Sequence, residues 1–155
     1  MLTVRPMTEP EFVAWRREAI EEYAKLQVEN GVWSPADALD RATQETDKGL
    51  PQGRHTTGEL LLIGFDGDTE VGTLWISLSS PRRSPGAAFL YDINIKTEMQ
   101  GRGYGRALLT AAEDAARAEG RTQLVLSVHG TNTRAIRLYE TSGYTVTAQQ
   151  MKREL

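Results

Sequence analysis

The stretch that most constrains this chain of 155 residues is a glycine-rich turn between an apolar, strand-like run (87–95) and a helical run (107–119). The turn reads Gln100-Gly101-Arg102-Gly103-Tyr104-Gly105-Arg106. Its glycines allow positive φ and let a ligand approach the backbone closely. The first N–H groups of the following helix have no internal partner, and the helix dipole favours negative charge. Because Arg102 and Arg106 add positive charge, the turn predicts a site for phosphate or pyrophosphate.

Two common phosphate-binding patterns do not fit this turn. A P-loop requires Lys and then Ser or Thr after its last glycine, whereas Arg106 and Ala107 follow Gly105. The dinucleotide fingerprint requires G-x-G-x-x-G and an acidic residue closing the next strand, whereas this turn has G-x-G-x-G and the next strand ends at His129. The pattern that remains is Q-x-x-G-x-G between a strand and a helix. A tight turn that binds nothing is the alternative.

The rest of the chain predicts an α/β protein with one domain over residues 1–155, since no repeat, low-complexity segment or linker interrupts it. The predicted elements are, in order, a strand at 2–7, helices at 8–30 and 34–48, a hairpin of strands at 58–66 and 70–80, a central strand at 88–95, the helix after the turn, a parallel strand at 123–128, a helix capped by Asn132, and two closing strands at 144–148 and 150–154. A loose turn at 81–86 carries Arg82 and Arg83, which either touch a ligand or are simply exposed.

Composition excludes several classes of function. The net charge of −3 argues against nucleic acid as the main partner. The absence of cysteine excludes disulfides, thiolate metal sites and a cysteine nucleophile, and the distant pair His55 and His129 does not predict a zinc site. Neither a membrane-spanning apolar run nor a signal peptide is recognisable, so we expect no membrane association and a cytoplasmic location.

A second pattern follows the glycine-rich turn. It reads Asn132-x-x-Ala135-x-x-Leu138-Tyr139-x-x-x-Gly143-Tyr144. In this order, with a strand between them, the two patterns resemble the acetyl-CoA motifs of the GNAT superfamily of N-acetyltransferases. The resemblance covers the whole chain and is most specific from Phe89 to Tyr144. The pairs Tyr91-Asp92 and Met151-Lys152 resemble a bacterial-type subgroup.

The resemblance implies the GNAT acyl-CoA N-acyltransferase fold, a mixed sheet of about six or seven strands with helices on both faces and a splay between strands 4 and 5. It also implies acetyl-CoA as cofactor. The central strand would pair with the pantetheine arm, the loop amides would bind the pyrophosphate, and the start of the last helix would contact the arm from the other side. The residues implied are Ile93, Asn94, Ile95, Gln100, Gly101, Arg102, Gly103, Tyr104, Gly105, Arg106, Asn132 and Ala135.

Acetyl transfer to an amine requires a neutral amine and protonation of the departing thiolate. Tyr139 is the predicted acid, because a phenol keeps its proton at neutral pH; the alternative is a tyrosine packed in the core. Asp92 is the predicted base, because a carboxylate on a half-buried strand needs a partner or a role; it is equally a candidate structural acid. Many family members carry Glu where Phe89 aligns, and His129 is a weaker candidate base.

The sequence thus predicts an acetyl-CoA-dependent N-acetyltransferase that transfers directly to a primary amine of a small molecule or peptide. Residues 1–50 hold ten acidic and six basic residues, a net charge of −4, which suits a cationic substrate or simply a pair of solvated helices. The alternatives are a non-catalytic acyl-CoA sensor with the same fold and a nucleotide-dependent enzyme. A homodimer is left open.

Overall fold

The computed structural model describes residues 1–79 and 84–155, so Arg82 and Arg83 of the predicted loose turn lie outside the described residues. The strands are β1 (Leu2–Pro6), β2 (Glu59–Asp66), β3 (Thr69–Ser77), β4 (Ala87–Ile95) and β5 (Gln123–Leu126). The helices are α1 (Glu9–Glu29), α2 (Ala38–Gly49), α3 (Tyr104–Ala118) and α4 (Thr133–Thr141). Short 3₁₀ turns span Gly53–His55 and Thr97–Met99.

The strands form one mixed sheet in the order β1-β2-β3-β4-β5. The first three pairings are antiparallel, and β4 pairs with β5 in parallel across the crossover through α3. The hairpin between β2 and β3 turns at Gly67, whose φ of 59° is the left-handed conformation that glycine favours. The predicted hairpin and parallel crossover are confirmed.

Helices cover both faces of the sheet, as predicted. Alternate side chains of β2 point to opposite faces, so Leu62 joins a core with α3 whereas Leu61 and Ile63 join a core with α1. A third cluster joins α1 to α2 through buried residues that include Trp33 and Ala42. In the described part of the chain, no helix has the length and apolar content needed to cross a membrane.

The helix after the glycine-rich turn begins earlier than the sequence indicates. It starts at Tyr104, three residues before the predicted Ala107, because Gly103 adopts the left-handed conformation (φ 84°) and caps it. Tyr104, Gly105 and Arg106 therefore form the first helical turn. These three residues, predicted to end the loop, are instead the start of α3.

The prediction of six or seven strands is wrong, because the described residues form five. The expected closing strands at 144–148 and 150–154 do not form, and β5 ends at Leu126 instead of Val128. Residues 145–155 are all exposed, with Val146 at 67% and Met151 at 84% of their surface accessible. Because this segment buries no apolar side chain on its own body, nothing offsets the entropy of ordering it as a strand there.

Candidate active site

The centre of the candidate site is a gap between β4 and β5. Their pairing ends at Leu90 and Leu126, whereas β4 continues to Ile95. Beside the gap the register of β3 and β4 shifts, with Trp75 opposite Asp92 and Ile76 opposite Leu90. The predicted splay is therefore present, and a β-bulge lies beside it. Since hydrogen-bonding groups of an antiparallel strand alternate in direction, some N–H and C=O groups of residues 91–95 face the gap.

The gap opens into a cleft of about 140 Å³. Strand β4 contributes Tyr91, Asp92 and Ile93 to its wall, and α4 contributes Asn132 and Tyr139. The loop after β5 adds the weaker candidate His129. The two predicted catalytic side chains, Asp92 and Tyr139, therefore line one cleft although they are distant in sequence.

Asp92 is held in place by a tryptophan from the first helix. The indole Nε1 of Trp15 donates to its Oδ2 at 3.2 Å. Burial raises the pKa of Asp92, the Trp15 hydrogen bond opposes that rise, and the negative charge of Glu22 adds to it. A carboxyl group with a raised pKa suits a proton acceptor better than an ordinary aspartate does. Sequence reasoning missed Trp15, because its distance of 77 residues from Asp92 leaves no local signal.

We expect Asp92→Asn to increase stability at neutral pH. Because the folded state raises the pKa of Asp92, the wild-type contribution of this group to stability falls as the pH rises through that pKa. Asparagine still accepts the Trp15 hydrogen bond but carries no charge. Urea denaturation from about pH 4 to about pH 8 should show a stability gain at the upper end that disappears at the lower end, where the wild-type carboxyl is neutral.

Asp68→Asn is the matched control, since Asp68 is exposed at the hairpin tip. We expect no comparable pH-dependent gain there. A variant at position 92 that is less stable than the wild type at neutral pH would contradict this account, because it would mean that the charged carboxylate stabilises the fold.

Tyr139 faces the same cleft from α4. Burial raises the pKa of Tyr139, and the negative charge of Asp92 adds to the effect. Its ring lies 5.8 Å from that of Tyr144, centroid to centroid. Among residues 1–79 and 84–155, its hydroxyl has no hydrogen-bond partner, unlike that of Tyr144, which donates to Glu113 at 3.0 Å. The Tyr139 hydroxyl thus keeps its proton and remains free to donate it.

The glycine-rich turn offers an open backbone surface. Gly101 and Gly103 have φ values of 77° and 84°, and a Cβ added at either would meet no atom within 4 Å. The open space therefore belongs to a ligand or solvent. Because Gly103 caps α3, the amides of the first helical turn are available at this point. Tyr104 fixes the turn against the hairpin by donating its hydroxyl to Asp66 at 2.7 Å.

The arginines near the turn differ in what they contact. Arg106 donates to Thr141 Oγ1 at 2.8 Å and to Ser142 Oγ at 2.9 Å, so its guanidinium joins α3 to the end of α4. Arg102 is exposed, and its guanidinium has no hydrogen bond to any residue of the described ranges. Arg134, which sequence reasoning missed, donates to Gln100 Oε1 at 3.3 Å. Positive charge at the turn thus comes from Arg102 and Arg134 more directly than from Arg106.

The other predicted cofactor contacts surround the gap. Ile93, Asn94 and Ile95 lie on the unpaired part of β4. Gln100 donates its amide to the Ile95 carbonyl at 3.2 Å, which ties the turn to the end of the strand. Asn132 Oδ1 accepts from the Ala135 amide at 3.2 Å and caps α4, so this amide is already engaged while Asn132 still lines the cleft.

The mixed sheet that parts beside a glycine-capped helix agrees with the arrangement that the GNAT resemblance of the sequence implies. The Acetyltransferase (GNAT) family matches residues 13–144. The chain therefore belongs to the GNAT family of acetyltransferases.

Relatives in Bacillus subtilis support this assignment. The chain is 29% identical to the uncharacterized N-acetyltransferase YdgE over 99% of this chain and 98% of that protein. It is 33% identical to the uncharacterized N-acetyltransferase YycN over 100% of this chain and 98% of that protein. The crystal structure of YycN superposes with a TM-score of 0.93 and 31% identity over 100% of this chain and 99% of that one. The PaiA N-acetyltransferase of Thermoplasma acidophilum, solved in complex with coenzyme A, shares the fold with a TM-score of 0.68. The match has 17% identity and covers 97% of this chain and 93% of that one.

Proposed function

We propose that this protein transfers an acetyl group from acetyl-CoA directly to a primary amine of a small molecule or peptide. The observation that carries the proposal is the parting of β4 and β5, which leaves a backbone edge open beside a cleft lined by both Asp92 and Tyr139. An open strand edge inside a sheet is costly unless something pairs with it. A pantetheine arm, which carries amide groups, is a suitable partner.

The residues around the gap fit coenzyme A. The unpaired edge at Ile93, Asn94 and Ile95 would bind the amide-bearing arm, and Asn132 would contact it from α4. The amides of residues 101–106 would bind the pyrophosphate, with charge from Arg102 and Arg134. The open space at Gly101 and Gly103 is the cradle that such a group requires.

Asp92 and Tyr139 serve the two ends of the reaction, Asp92 at the amine and Tyr139 at the sulfur. Acetyl-CoA supplies an activated thioester when bound. Asp92 accepts the proton that a protonated amine must lose, directly or through a water molecule, and its raised pKa brings its basicity closer to neutral pH. Tyr139 donates its hydroxyl proton towards the sulfur. Because no cysteine is present, these groups serve direct transfer without a covalent cysteine intermediate.

The surroundings of the cleft favour a cationic amine as acceptor. Tyr91 is 46% exposed at the cleft and is stacked on Trp75 with ring centroids 4.6 Å apart. The exposed face of an aromatic ring attracts ammonium groups. Glu59, which accepts from the Trp75 indole at 2.9 Å, adds negative charge behind these rings. Aromatic faces backed by carboxylates discriminate against anionic acceptors.

Titration calorimetry with CoA, followed by a thiol-release assay with a panel of amines, tests the proposal. We expect heat of CoA binding at or below about 1 mM, the upper end of usual Michaelis constants, and thiol release that depends on a primary amine. Amines with a second cationic group should be better acceptors than anionic ones such as amino acids. The corresponding alcohols are the matched control and should release no thiol above background.

Three other results would contradict parts of the proposal. Absence of heat from CoA would remove the cofactor assignment. CoA binding without thiol release for any amine would favour the non-catalytic acyl-CoA sensor. Retention of the protein on immobilised ATP but not on immobilised CoA would favour a nucleotide-dependent enzyme.

A further inference from the structure

Helix α1 contributes one wall of the cleft. Towards its start, the Trp15 indole donates to Asp92 at 3.2 Å, and towards its end Leu26 lines the cleft directly. The end of the helix is also held in place, because Thr131 Oγ1, from the loop after β5, donates to Asn30 Oδ1 at 3.2 Å. The later part of α1 is therefore fixed along the cleft by contacts at both of its ends.

Glu22 lies between these contacts, on the same face of the helix. At 3.6 residues per turn, Trp15, Glu22 and Leu26 fall within roughly 40° of one another around the helix axis. The rise of the helix puts Glu22 about 10 Å after Trp15 and about 6 Å before Leu26. The negative charge of Glu22 also acts on Asp92, where it adds to the raised pKa. The helical position and this electrostatic effect both place the Glu22 carboxylate at the cleft.

The Glu22 carboxylate has no cation beside it in the described structure. The side chain is exposed and makes no hydrogen bond or ion pair with residues 1–79 or 84–155. Lys25, the base nearest to it in sequence, pairs instead with Glu29 at 4.0 Å. An unpaired carboxylate at the rim of a cleft is available to a cationic ligand.

The cleft beside Glu22 and Asp92 is lined by apolar side chains. Leu26 is 38% exposed there, and Tyr91 presents its ring from β4. Because Trp15 contacts Asp92 and Glu22 lies further along the same helix face, the two carboxylates are on the order of 10 Å apart. The cleft therefore offers negative charge at two separate points and hydrocarbon contacts beside them.

We propose that Glu22 binds the second ammonium group of a linear aliphatic diamine whose first amine reacts beside Asp92. This inference rests on the proposed acetyl transfer and adds to it the residue that selects the acceptor. A charged hydrogen bond takes roughly 3 Å at each end, which leaves room for a spacer of about three to five carbons. The spacer would contact Leu26 and Tyr91. An acceptor with a single amine leaves Glu22 without a partner, so the second cation contributes affinity and sets the preferred length.

The acceptor preference of the wild-type enzyme is the first test. We would measure kcat/KM for the linear diamines from diaminopropane to diaminooctane, each against the amino alcohol of the same length. After correction for its two equivalent amines, diaminobutane should exceed aminobutanol at least about fivefold, the upper value for an ion pair at an exposed site. The advantage should decline for the longest diamines. Equal values for diamines and amino alcohols throughout the series would overturn the inference and leave acetyl transfer to amines intact.

Replacement of Glu22 tests whether this residue causes the preference. Glu22→Gln removes the charge at nearly constant size, and we expect the preference for diaminobutane over aminobutanol to fall at least about fivefold, mainly through KM. Glu22→Asp keeps the charge and should retain most of the preference. The matched control is Glu21→Gln, which removes the same charge from an exposed residue roughly 100° further around the helix. Equal preferences in Glu22→Gln and Glu21→Gln would overturn the inference.

Direct binding separates this inference from the proposed chemistry. If no amine causes thiol release, the proposed function fails, and titration calorimetry with diaminobutane alone decides the inference. We expect the dissociation constant for diaminobutane to be at least about fivefold higher in Glu22→Gln than in Glu21→Gln. The same constant in both variants, or no binding of diaminobutane to the wild type, would overturn the inference.

Discussion

Replacement of Tyr139 by phenylalanine is expected to lower the turnover of acetyl transfer by about tenfold or more while leaving the affinity for CoA nearly unchanged. General acids contribute about 100-fold to 10,000-fold to catalysis, and part of that contribution is lost with the hydroxyl. The ring remains in place, so its packing beside Tyr144 is kept. Steady-state kinetics with the best amine, together with calorimetry, would measure the two effects separately.

The expected loss follows from the protonation state of Tyr139. Burial and the charge of Asp92 raise the pKa of this tyrosine, so the phenol stays protonated throughout the neutral range. Full proton transfer from a phenol of pKa about 10 to a thiolate whose acid has a pKa of about 8.5 is uphill by about 2 kcal/mol. Tyr139 therefore acts mainly as a hydrogen-bond donor that stabilises the charge developing on sulfur.

Tyr144→Phe is the matched control for this prediction. It removes a hydroxyl from the neighbouring ring, but that hydroxyl donates to Glu113 and does not face the cleft. We expect its turnover to stay close to that of the wild type. Equal turnover for Tyr139→Phe and the wild type would discard the acid assignment and leave Tyr139 as a core residue.

Replacement of Gly103 by valine is expected to weaken CoA binding by about a hundredfold or more. Gly103 has a φ of 84°, a conformation that a β-branched residue adopts only under strain, and the new side chain would occupy the open space in front of the turn. Two lost hydrogen bonds to a charged pyrophosphate cost about 3 kcal/mol or more, which corresponds to about a hundredfold in affinity. Calorimetry with CoA measures the change.

Gly67→Val separates binding from backbone strain. Gly67 also has a positive φ, of 59°, and open space around it, but it lies at the hairpin tip. Both variants should lose comparable stability in urea denaturation, since a strained backbone conformation costs about 1–3 kcal/mol. Only the variant at Gly103 should lose CoA affinity, and near-normal affinity there would count against the cradle.

Local sequence signals predicted much of the fold and the position of the candidate site. The turn at Gly101 and Gly103, the cap at Asn132 and the hairpin at Gly67 depend on neighbouring residues, so their sequence patterns were sufficient. The parallel pairing of β4 and β5 followed from the strand-helix-strand order, because a helical crossover usually joins parallel strands. These features bring the glycine-rich turn and the start of α4 to the same side of the sheet.

The remaining features depend on contacts distant in sequence. No local pattern pairs Trp15 with Asp92, or turns Arg106 towards α4 instead of towards a phosphate. The closing strands are absent for another reason: the alternation at Val146 and Ala148 predicts a strand, but it does not specify the strand with which that segment would pair. Alternation of apolar and polar residues indicates which side chains lie on each face of a strand, but it does not indicate which strand pairs with it.

The guanidinium of Arg106 connects the two helices that border the candidate site. It belongs to the first turn of α3, which presents the backbone amides of the glycine-rich turn, and it clamps the last turn of α4, the helix that carries Tyr139. The group that would hold the diphosphate and the group that would donate a hydrogen bond to the sulfur are therefore aligned by one side chain. A coenzyme bound by its diphosphate at the glycine-rich turn would therefore place its thioester at a set distance from Tyr139.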